Sequence, residues 1–419
     1  MWAVDVQSIR SARVHFDWQT GGGCSAKSVG RSEEPRKSCT LTARIIELVI
    51  VILGLAFTWV LFYRLPILPG NKNRLAQRTD PSSSGFSLSV IIPARNEEQT
   101  LPMLLADLQR QTVAAAEIIC VDDASDDATA QIARAYGARL ISLHDKPAGW
   151  IGKSWACQNG ADAATGDVLL FLDADVRLGQ NALSRLIQTY EVAGCTISVQ
   201  PFHRTRKANE QFSLIFNLVQ LAANGMALPK PLNVGLYGPV ILITRADYLK
   251  AGGHEQAKSA VTEDIALGAL MRKASVPFQL YIGDPELSFR MYGNGFRSLL
   301  QGWVKNQATG AAKTPVPLFL MVFFWITSMA SVPLQLAKHS SSGLTFWLVL
   351  YILLYLIWVL RLHTLTRKVG YFQRWAVILF PIPVLVYLGV FVVSMVKKIF
   401  RLKVIWKGRA IDVEEKRCG

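Results

Sequence analysis

Asp173 and Asp175 flank a single alanine directly after the apolar run Val168-Leu-Leu-Phe-Leu172. Carboxylates alternating at a strand end can share a hard divalent cation, Mg²⁺ or Mn²⁺, with a diphosphate; as a bare D-x-D, the pair is equally a surface turn. Asp122 and Asp123 follow a second run, Ile118-Ile-Cys-Val121. They can accept hydrogen bonds from a base or a ribose, or they lead into a helix, because Ser125, Asp126 and Asp127 resemble an N-cap with acids in the first turn. Asn96-Glu97-Glu98, after Leu88-Ser-Val-Ile-Ile92 and Pro93, reads the same two ways. Lys153, in Gly149-Trp-Ile-Gly-Lys153, offers a point charge for phosphate beside glycines that permit close backbone approach. The spacing is not that of a P-loop, and a solvated lysine in a turn is the alternative. Glu263-Asp264 after Thr262 can supply a general base for an acceptor hydroxyl, or simply start the helix over Ile265–Met271.

These groups need a frame. The three apolar runs suit strands buried on both faces. Thr100–Gln111 and Asp127–Tyr136 between them carry helical apolar spacing. Strands alternating with helices predict an α/β domain over residues 85–313, with a parallel sheet and right-handed crossovers. Ligands bind such sheets off the carboxyl ends of the strands, so the polar ends of all three runs should meet in one cleft.

The whole chain of 419 residues is 51% hydrophobic and 18% charged, against roughly 25% charged in an average soluble protein. That excludes a disordered polyelectrolyte. Six scattered cysteines exclude a small disulfide scaffold, and neither they nor the six histidines have zinc-ligand spacing. No G-x-S-x-G or paired Cys/His context points to a hydrolase. The apolar residues concentrate at 45–63, Val316–Ala337, Leu344–Leu360 and Trp375–Val396, and no Asp or Glu occurs from 287 to 411. Helices of such length cross a hydrocarbon core of roughly 30 Å. The run at 45–63 reads as a transmembrane signal anchor rather than a cleaved signal, behind a disordered Gly/Ser-rich arm over 1–40. The net charge is +15, but residues 85–313 hold 21 Lys/Arg against 21 Asp/Glu. Residues 1–84 hold 11 against 6, and residues 314–419 hold 13 against 3. The excess flanks apolar spans, where it meets anionic headgroups. The central domain has no basic excess to hold nucleic acid.

Four motifs in order, Val90-Ile-Ile-Pro-Ala-Arg-Asn-Glu-Glu98, Val121-Asp-Asp-Ala-Ser125, Phe171-Leu-Asp-Ala-Asp-Val176 and Thr262-Glu-Asp264, resemble the inverting family-2 glycosyltransferases. Gln200-Pro201, Tyr237-Gly-Pro239, Ala251-Gly-Gly-His254, Phe289-Arg-Met-Tyr292, Gly295-Phe296 through Gln301-Gly-Trp303, and Trp406-Lys-Gly-Arg409 resemble, within them, the carotenoid glycosyltransferases that act on 4,4'-diaponeurosporenoate. The resemblance implies an α/β GT-A fold (a Rossmann-like nucleotide-diphospho-sugar transferase domain) with N-terminal and C-terminal transmembrane helices. It implies that Pro93, Glu97, Asp122 and Asp123 bind the nucleotide, with Lys153 and Asp173 at the diphosphate. Asp173 and Asp175 would hold the divalent metal, and Asp264, beside Glu263, would be the general base. Two departures stand out. The family's Asp-Gly-Ser is Asp123-Ala-Ser125 here, and of the Q-x-x-R-W motif of processive synthases only Trp303 is kept, with Leu299 and Gly302 in place of Gln and Arg. A single transfer is expected rather than polymerisation.

The expected donor is a UDP-sugar, and the expected acceptor is a membrane lipid, foremost a carotenoid acid. A ceramide- or hopanoid-type hydroxyl is the alternative, and a non-catalytic nucleotide-binding membrane subunit is a third reading. A carboxylate acceptor is already ionised at neutral pH, so Asp264 need not deprotonate it. His254, Arg290, Trp303 and Arg409, which lie in the carotenoid-type motifs, are then candidates to position it. Nucleotide sugars place the catalytic domain in the cytoplasm. Eight Lys/Arg from Lys397 to Arg417 should keep the tail, 397–419, on that side too. Residues 314–396 therefore hold two or three spans, with one late segment re-entrant or interfacial.

Overall fold

The computed structural model describes residues 34–70, 85–291, 295–341, 343–400, 402, 404–406 and 409–411. The arm expected over 1–40 lies outside them as far as residue 33, and helix α1 (Glu34–Leu61) begins there. Residues up to Ile46 group as a unit of their own, and everything from Glu47 onward forms one body.

Seven strands make the central sheet of that body: β1 (Leu88–Ala94), β2 (Glu117–Asp123), β3 (Arg139–Leu143), β4 (Val168–Leu172), β6 (Thr196–Gln200), β8 (Val240–Thr244) and β9 (Phe278–Ile282), in the order β3-β2-β1-β4-β8-β6-β9. The three apolar runs are β1, β2 and β4. β1 continues through Pro93 because its pairing with β4 stops at Ile91, and only β2 accompanies the last residues, so the missing proline N–H leaves no gap in the ladder. The parallel sheet expected from the sequence is interrupted: β8 runs antiparallel to both β4 and β6. The reversal has a geometric consequence. Val240 lies opposite Leu172, so the loop before β8, Tyr237-Gly-Pro239, arrives at the carboxyl edge. There the Asp173 backbone N–H donates to the Pro239 carbonyl at 3.0 Å.

Side-chain alternation assigns each strand two buried faces. Ile91, Val121, Phe171 and Ile241 face one core with α4 (Gly152–Ala163), α6 (Ser213–Asn224) and α8 (Glu263–Lys273). Val90, Ile92, Leu170 and Leu242 face the other, with α2 (Leu101–Gln109), α3 (Thr129–Ala135) and α5 (Ala182–Ala193). Each such Leu or Ile contributes about 1.5–3 kcal/mol by leaving water. α4 must carry glycine at 160, because a Cβ there would lie 2.4 Å from Ile91 Cγ2. α7 (Arg245–Lys250) follows β8, with the Thr244 hydroxyl accepting from the Asp247 N–H as its N-cap. A smaller sheet, in the order β11-β7-β10-β5, joins β5 (Val176–Leu178), β7 (Phe202–Arg204), β10 (Leu287–Phe289) and β11 (Gly370–Tyr371).

The remaining helices are α9 (Phe296–Lys313), α10 (Val316–Ser340), α11 (Phe346–Val369), α12 (Arg374–Ile378) and α13 (Pro381–Ile399), with a terminal hairpin of β12 (Val404–Trp406) and β13 (Arg409–Ile411). Thr42–Leu61 of α1, α10, α11 and α13 are each long and apolar enough to cross a bilayer. α1 and α10 approach closely at Gly54, where a Cβ would overlap Ser328 Cβ, and the Ser328 hydroxyl donates to the Val51 carbonyl at 2.9 Å. Small residues at such crossings are the usual contact of membrane helices. α11 runs beyond the expected Leu360: the Arg361 guanidinium lies 3.6 Å from the centre of the Trp59 ring, so its charge is accommodated without ending the helix. The stretch Trp375–Val396, expected as one segment, is two helices. Pro381 ends the first and opens the second, having no N–H and a fixed φ. The Tyr355 hydroxyl, partway along α11, donates to the Ile378 carbonyl at 2.6 Å. Tyr371 of β11 pairs with Arg204, and the Ser394 hydroxyl of α13 donates to the Val304 carbonyl of α9 at 2.6 Å. The chain therefore leaves the α/β domain at β11, turns beside Tyr355, and returns to the same domain along α13.

Candidate active site

Asp173 leaves β4 at its carboxyl end, Lys153 stands on the first turn of α4, and Glu263 and Asp264 open α8. The sheet edge brings all four together. Lys153 Nζ lies 2.7 Å from Asp173 Oδ1 and 3.0 Å from Glu263 Oε1. Asp264 accepts from the Gly238 N–H at 3.0 Å and from the Ile265 N–H at 2.8 Å. Gly238 sits close against this pair: a Cβ there would lie 3.0 Å from Lys153 Nζ and 3.3 Å from Asp264 Oδ2. Glu263 and Asp264 occupy the first turn of α8, where acids favour the helix, and both line the cleft. Burial opposes the Lys153 charge, but Asp173 and Glu263 hold its pKa well above the ordinary value. Burial also disfavours charge on Glu263, yet Lys153 and then Lys305 bring it down to about 2. For Asp264 the balance falls the other way, with Lys153 only partly opposing the rise. Burial first, and the neighbouring Glu263 charge second, raise it to about 6.

Two loops, after β1 and β2, close one side of the cleft. Arg95 Nη1 donates to the Asp123 and Ala124 carbonyls, the Asn96 N–H donates to the Ser125 hydroxyl at 2.9 Å, and the Asp126 N–H donates to Asn96 Oδ1 at 2.9 Å. Asn96 and Ala124 both hold left-handed backbone, with φ of 53° and 51°. Pro93, Glu97, Asp123, Lys153, Asp173, Asp175, Glu263 and Asp264 line one cleft of about 1720 Å³. Asp122 stands apart: it is buried, and its carboxylate accepts from the Ser125 N–H and hydroxyl, closing a turn, while the helix expected to be capped at Ser125 begins only at Thr129, after Ala128. Among the described residues, no group of three His, Cys, Asp or Glu is arranged to hold a metal. Asp173 and Asp175 fit a cation that takes one or two carboxylates and fills its other positions with phosphate oxygens and water.

The acceptor candidates fare unequally. Arg290 lines the cleft but is bound to the wholly buried Glu210, 2.6 Å away. His254 sits behind the acid cluster: its Nδ1 is 2.9 Å from the Tyr248 hydroxyl, and burial pushes it to about 4, so it is neutral. Trp303 lines the cleft and stacks on Phe216 with ring centres 4.7 Å apart. Arg409 opens β13, and its side chain lies outside the described residues. Sequence reasoning did not single out Lys305, which also lines the cleft. A lone cation two residues past Trp303 in an acid-free segment was the available signal. Beyond these residues the cleft passes between α10 and α13, along Phe319, Val322, Phe323, Leu388 and Phe391.

An acid-lined cleft at the carboxyl edge of this mixed sheet, anchored by apolar helices, defines a GT-A glycosyltransferase. The family model for glycosyl transferase family 2 matches residues 89–247. The chain is 35% identical over 345 residues to 4,4'-diaponeurosporenoate glycosyltransferase of Staphylococcus aureus, covering 79% of this chain and 90% of that protein. It is 36% identical over 303 residues to the protein of the same name in Staphylococcus haemolyticus, covering 69% and 79%. Among solved structures it is similar to a mannosyltransferase from Pyrobaculum calidifontis in complex with GDP-Man and Mn²⁺, with TM-score 0.48, 15% identity, and 84% and 99% of the two chains covered. It is also similar to glucosyl-3-phosphoglycerate synthase from Mycobacterium tuberculosis, with TM-score 0.40, 17% identity, and 60% and 88% covered. The chain belongs to glycosyltransferase family 2 and is an enzyme, which removes the reading as a non-catalytic subunit.

Proposed function

We propose that this enzyme transfers one sugar, with inversion, from a UDP-sugar to a membrane-borne carotenoid acid of the 4,4'-diaponeurosporenoate type. The observation that carries the reading is the continuity of the cleft, which runs unbroken from Asp123, Asp173 and Asp175 to the apolar side chains of α10 and α13. A polar donor and a lipid acceptor can thus meet without either leaving its own medium. The names carried by the two staphylococcal relatives favour an acid over an alcohol.

In this reading Pro93, Glu97 and Asp123 would bind the nucleoside, Lys153 and Asp173 would face the diphosphate, and Asp173 with Asp175 would hold a Mg²⁺ or Mn²⁺ ion. When bound, such a cation neutralises charge on the departing diphosphate. The ionised acceptor oxygen attacks the anomeric carbon from the face opposite the leaving group. The new C–O bond forms as the bond to the diphosphate breaks, the nucleoside diphosphate leaves with the electron pair, and an acyl glycoside results. A second reading, transfer to a ceramide- or hopanoid-type hydroxyl, is favoured by Asp264, which near pH 6 is matched to a general base.

The enzyme would sit in the cell membrane with its α/β domain in the cytoplasm. α1, α10 and α11 would cross, while α12 and α13 would form the re-entrant segment, a reading supported by the turn beside Tyr355 and the return to Val304. The test is to compare lipid extracts of membranes with and without the protein, supplied with UDP-hexoses and both acceptor types. A new glycosyl ester of the carotenoid acid is expected, and sugar appearing only on hydroxylated lipids would reject the proposal.

A further inference from the structure

We infer that Arg361 and Trp59 form a binding site for the headgroup of an anionic phospholipid, on the lipid-facing side of α1 and α11 where both helices reach the α/β domain. Neither residue lines the cleft, and the site is independent of which acceptor receives the sugar. Its depth is fixed by the chain. Trp59 is in the last turn of α1 and Arg361 stands about two turns before Val369, the end of α11. Just past these ends the Arg64 N–H donates to the Ala227 carbonyl at 3.1 Å, and Gly370 pairs with His203. The pair therefore lies within about 12 Å of the domain, where tryptophan and long basic side chains reach the polar edge of a bilayer.

No acid of either helix answers the Arg361 charge. Residues 287–411 hold no Asp or Glu, and the one acid in Thr42–Leu61 is Glu47, about three turns from Trp59 and paired with Lys338. Among the described residues Arg361 has no ion pair, and its Nε is buried without a hydrogen-bond partner. The guanidinium lies 3.6 Å from the centre of the Trp59 ring. A ring face attracts a cation, but it leaves the N–H groups at the guanidinium edge unmet, and a cation at the rim of the hydrocarbon is costly without a counterion. A lipid phosphodiester supplies both the negative charge and two oxygens that match the guanidinium fork. The approach from the lipid is open: Trp59 is 61% exposed and Leu360 64%, so acyl chains can lie along these apolar side chains while the phosphate meets Arg361. Arg64, Arg367 and Lys368, exposed at the same ends of the two helices, favour a lipid with net negative charge over a zwitterionic one.

The test uses the full chain in detergent, titrated with phosphatidylglycerol, phosphatidylcholine or inorganic phosphate, with bound lipid read by native mass spectrometry. Wild type should hold phosphatidylglycerol about tenfold more tightly than phosphatidylcholine, and inorganic phosphate should not displace it. Arg361→Gln should weaken phosphatidylglycerol about tenfold or more, as loss of one charge-assisted hydrogen bond implies. Arg361→Lys, which keeps the charge but not the fork, should fall between, and UDP binding should be unchanged in both variants. Equal retention of the two lipids by wild type overturns the inference without any variant. Phosphatidylglycerol binding that survives Arg361→Gln intact overturns it as well, and displacement by inorganic phosphate would assign the site to a free anion instead of a lipid.

Discussion

Lys153 Nζ sits 2.7 Å from Asp173 Oδ1, so the first acid of the D-x-D pair is tied to a lysine from a different helix, which also bonds Glu263 at 3.0 Å. Lys153→Met leaves the half-buried Asp173 and the buried Glu263 without their shared cation. We expect a loss of about 1.5–3 kcal/mol in stability, measured by thermal unfolding in detergent, and a loss of transfer activity of at least about a hundredfold. Retention of both would show that the ion pair is incidental.

Asp264 should discriminate between acceptor classes. With a hydroxyl acceptor, Asp264→Asn should lower turnover by about 10²–10⁴-fold, and wild-type activity should rise with pH through about 6, because only the ionised form takes a proton. With a carboxylate acceptor the nucleophile is already charged, and the variant should lose far less. Stability carries the opposite sign. Folding raises this carboxyl's pKa, so its contribution is fully present below the ordinary value of 3.8 and is lost as pH rises through about 6. Asp264→Asn should therefore melt higher than wild type at pH 8, and the gain should vanish at pH 4.

Ala124 replaces the glycine common at this turn, with φ of 51°. A Cβ in left-handed backbone costs about 1–2 kcal/mol, and glycine's greater unfolded freedom offsets about 0.4–1 of it. Ala124→Gly should stabilise the protein, by up to about 1.6 kcal/mol, with activity kept. A lower melting temperature would contradict this account.

Ala330 lines the cleft from α10 beyond Ile326 and Thr327. Ala330→Trp should obstruct the apolar passage, reducing transfer to a long lipid acceptor by about tenfold or more, while UDP titration is unchanged. Equal weakening of UDP binding would mean that the two parts of the cleft are not separate in function.

A tag after Gly419 should be accessible from the side of the α/β domain, because β11 and Ser394 both attach to that domain. Labelling only from the opposite face would mean that α13 crosses fully.

The sequence by itself determined the parts that follow from local pattern. Apolar runs ending in Asp173 or Asp123 are the strands of the main sheet, the acid-free spans are helices, and the charge excess flanks them. Period and composition suffice there, because burial of a strand face or a helix surface is a local demand on neighbouring residues. The tertiary structure decided which charges meet. Arg290 reads in the sequence as an acceptor ligand, but the fold pairs it with the buried Glu210, distant in the chain, whose charge the guanidinium and the Arg206 N–H together hold. Asp122 and Asp123 look alike in sequence, yet the strand's alternation turns one into its own loop and the other into the cleft. The reversed β8 brings Gly238 to Asp264, and the Ser394 hydroxyl fastens α13 to Val304 of α9. Such pairings depend on Cβ directions and distances set by the whole sheet, and no local periodicity encodes them.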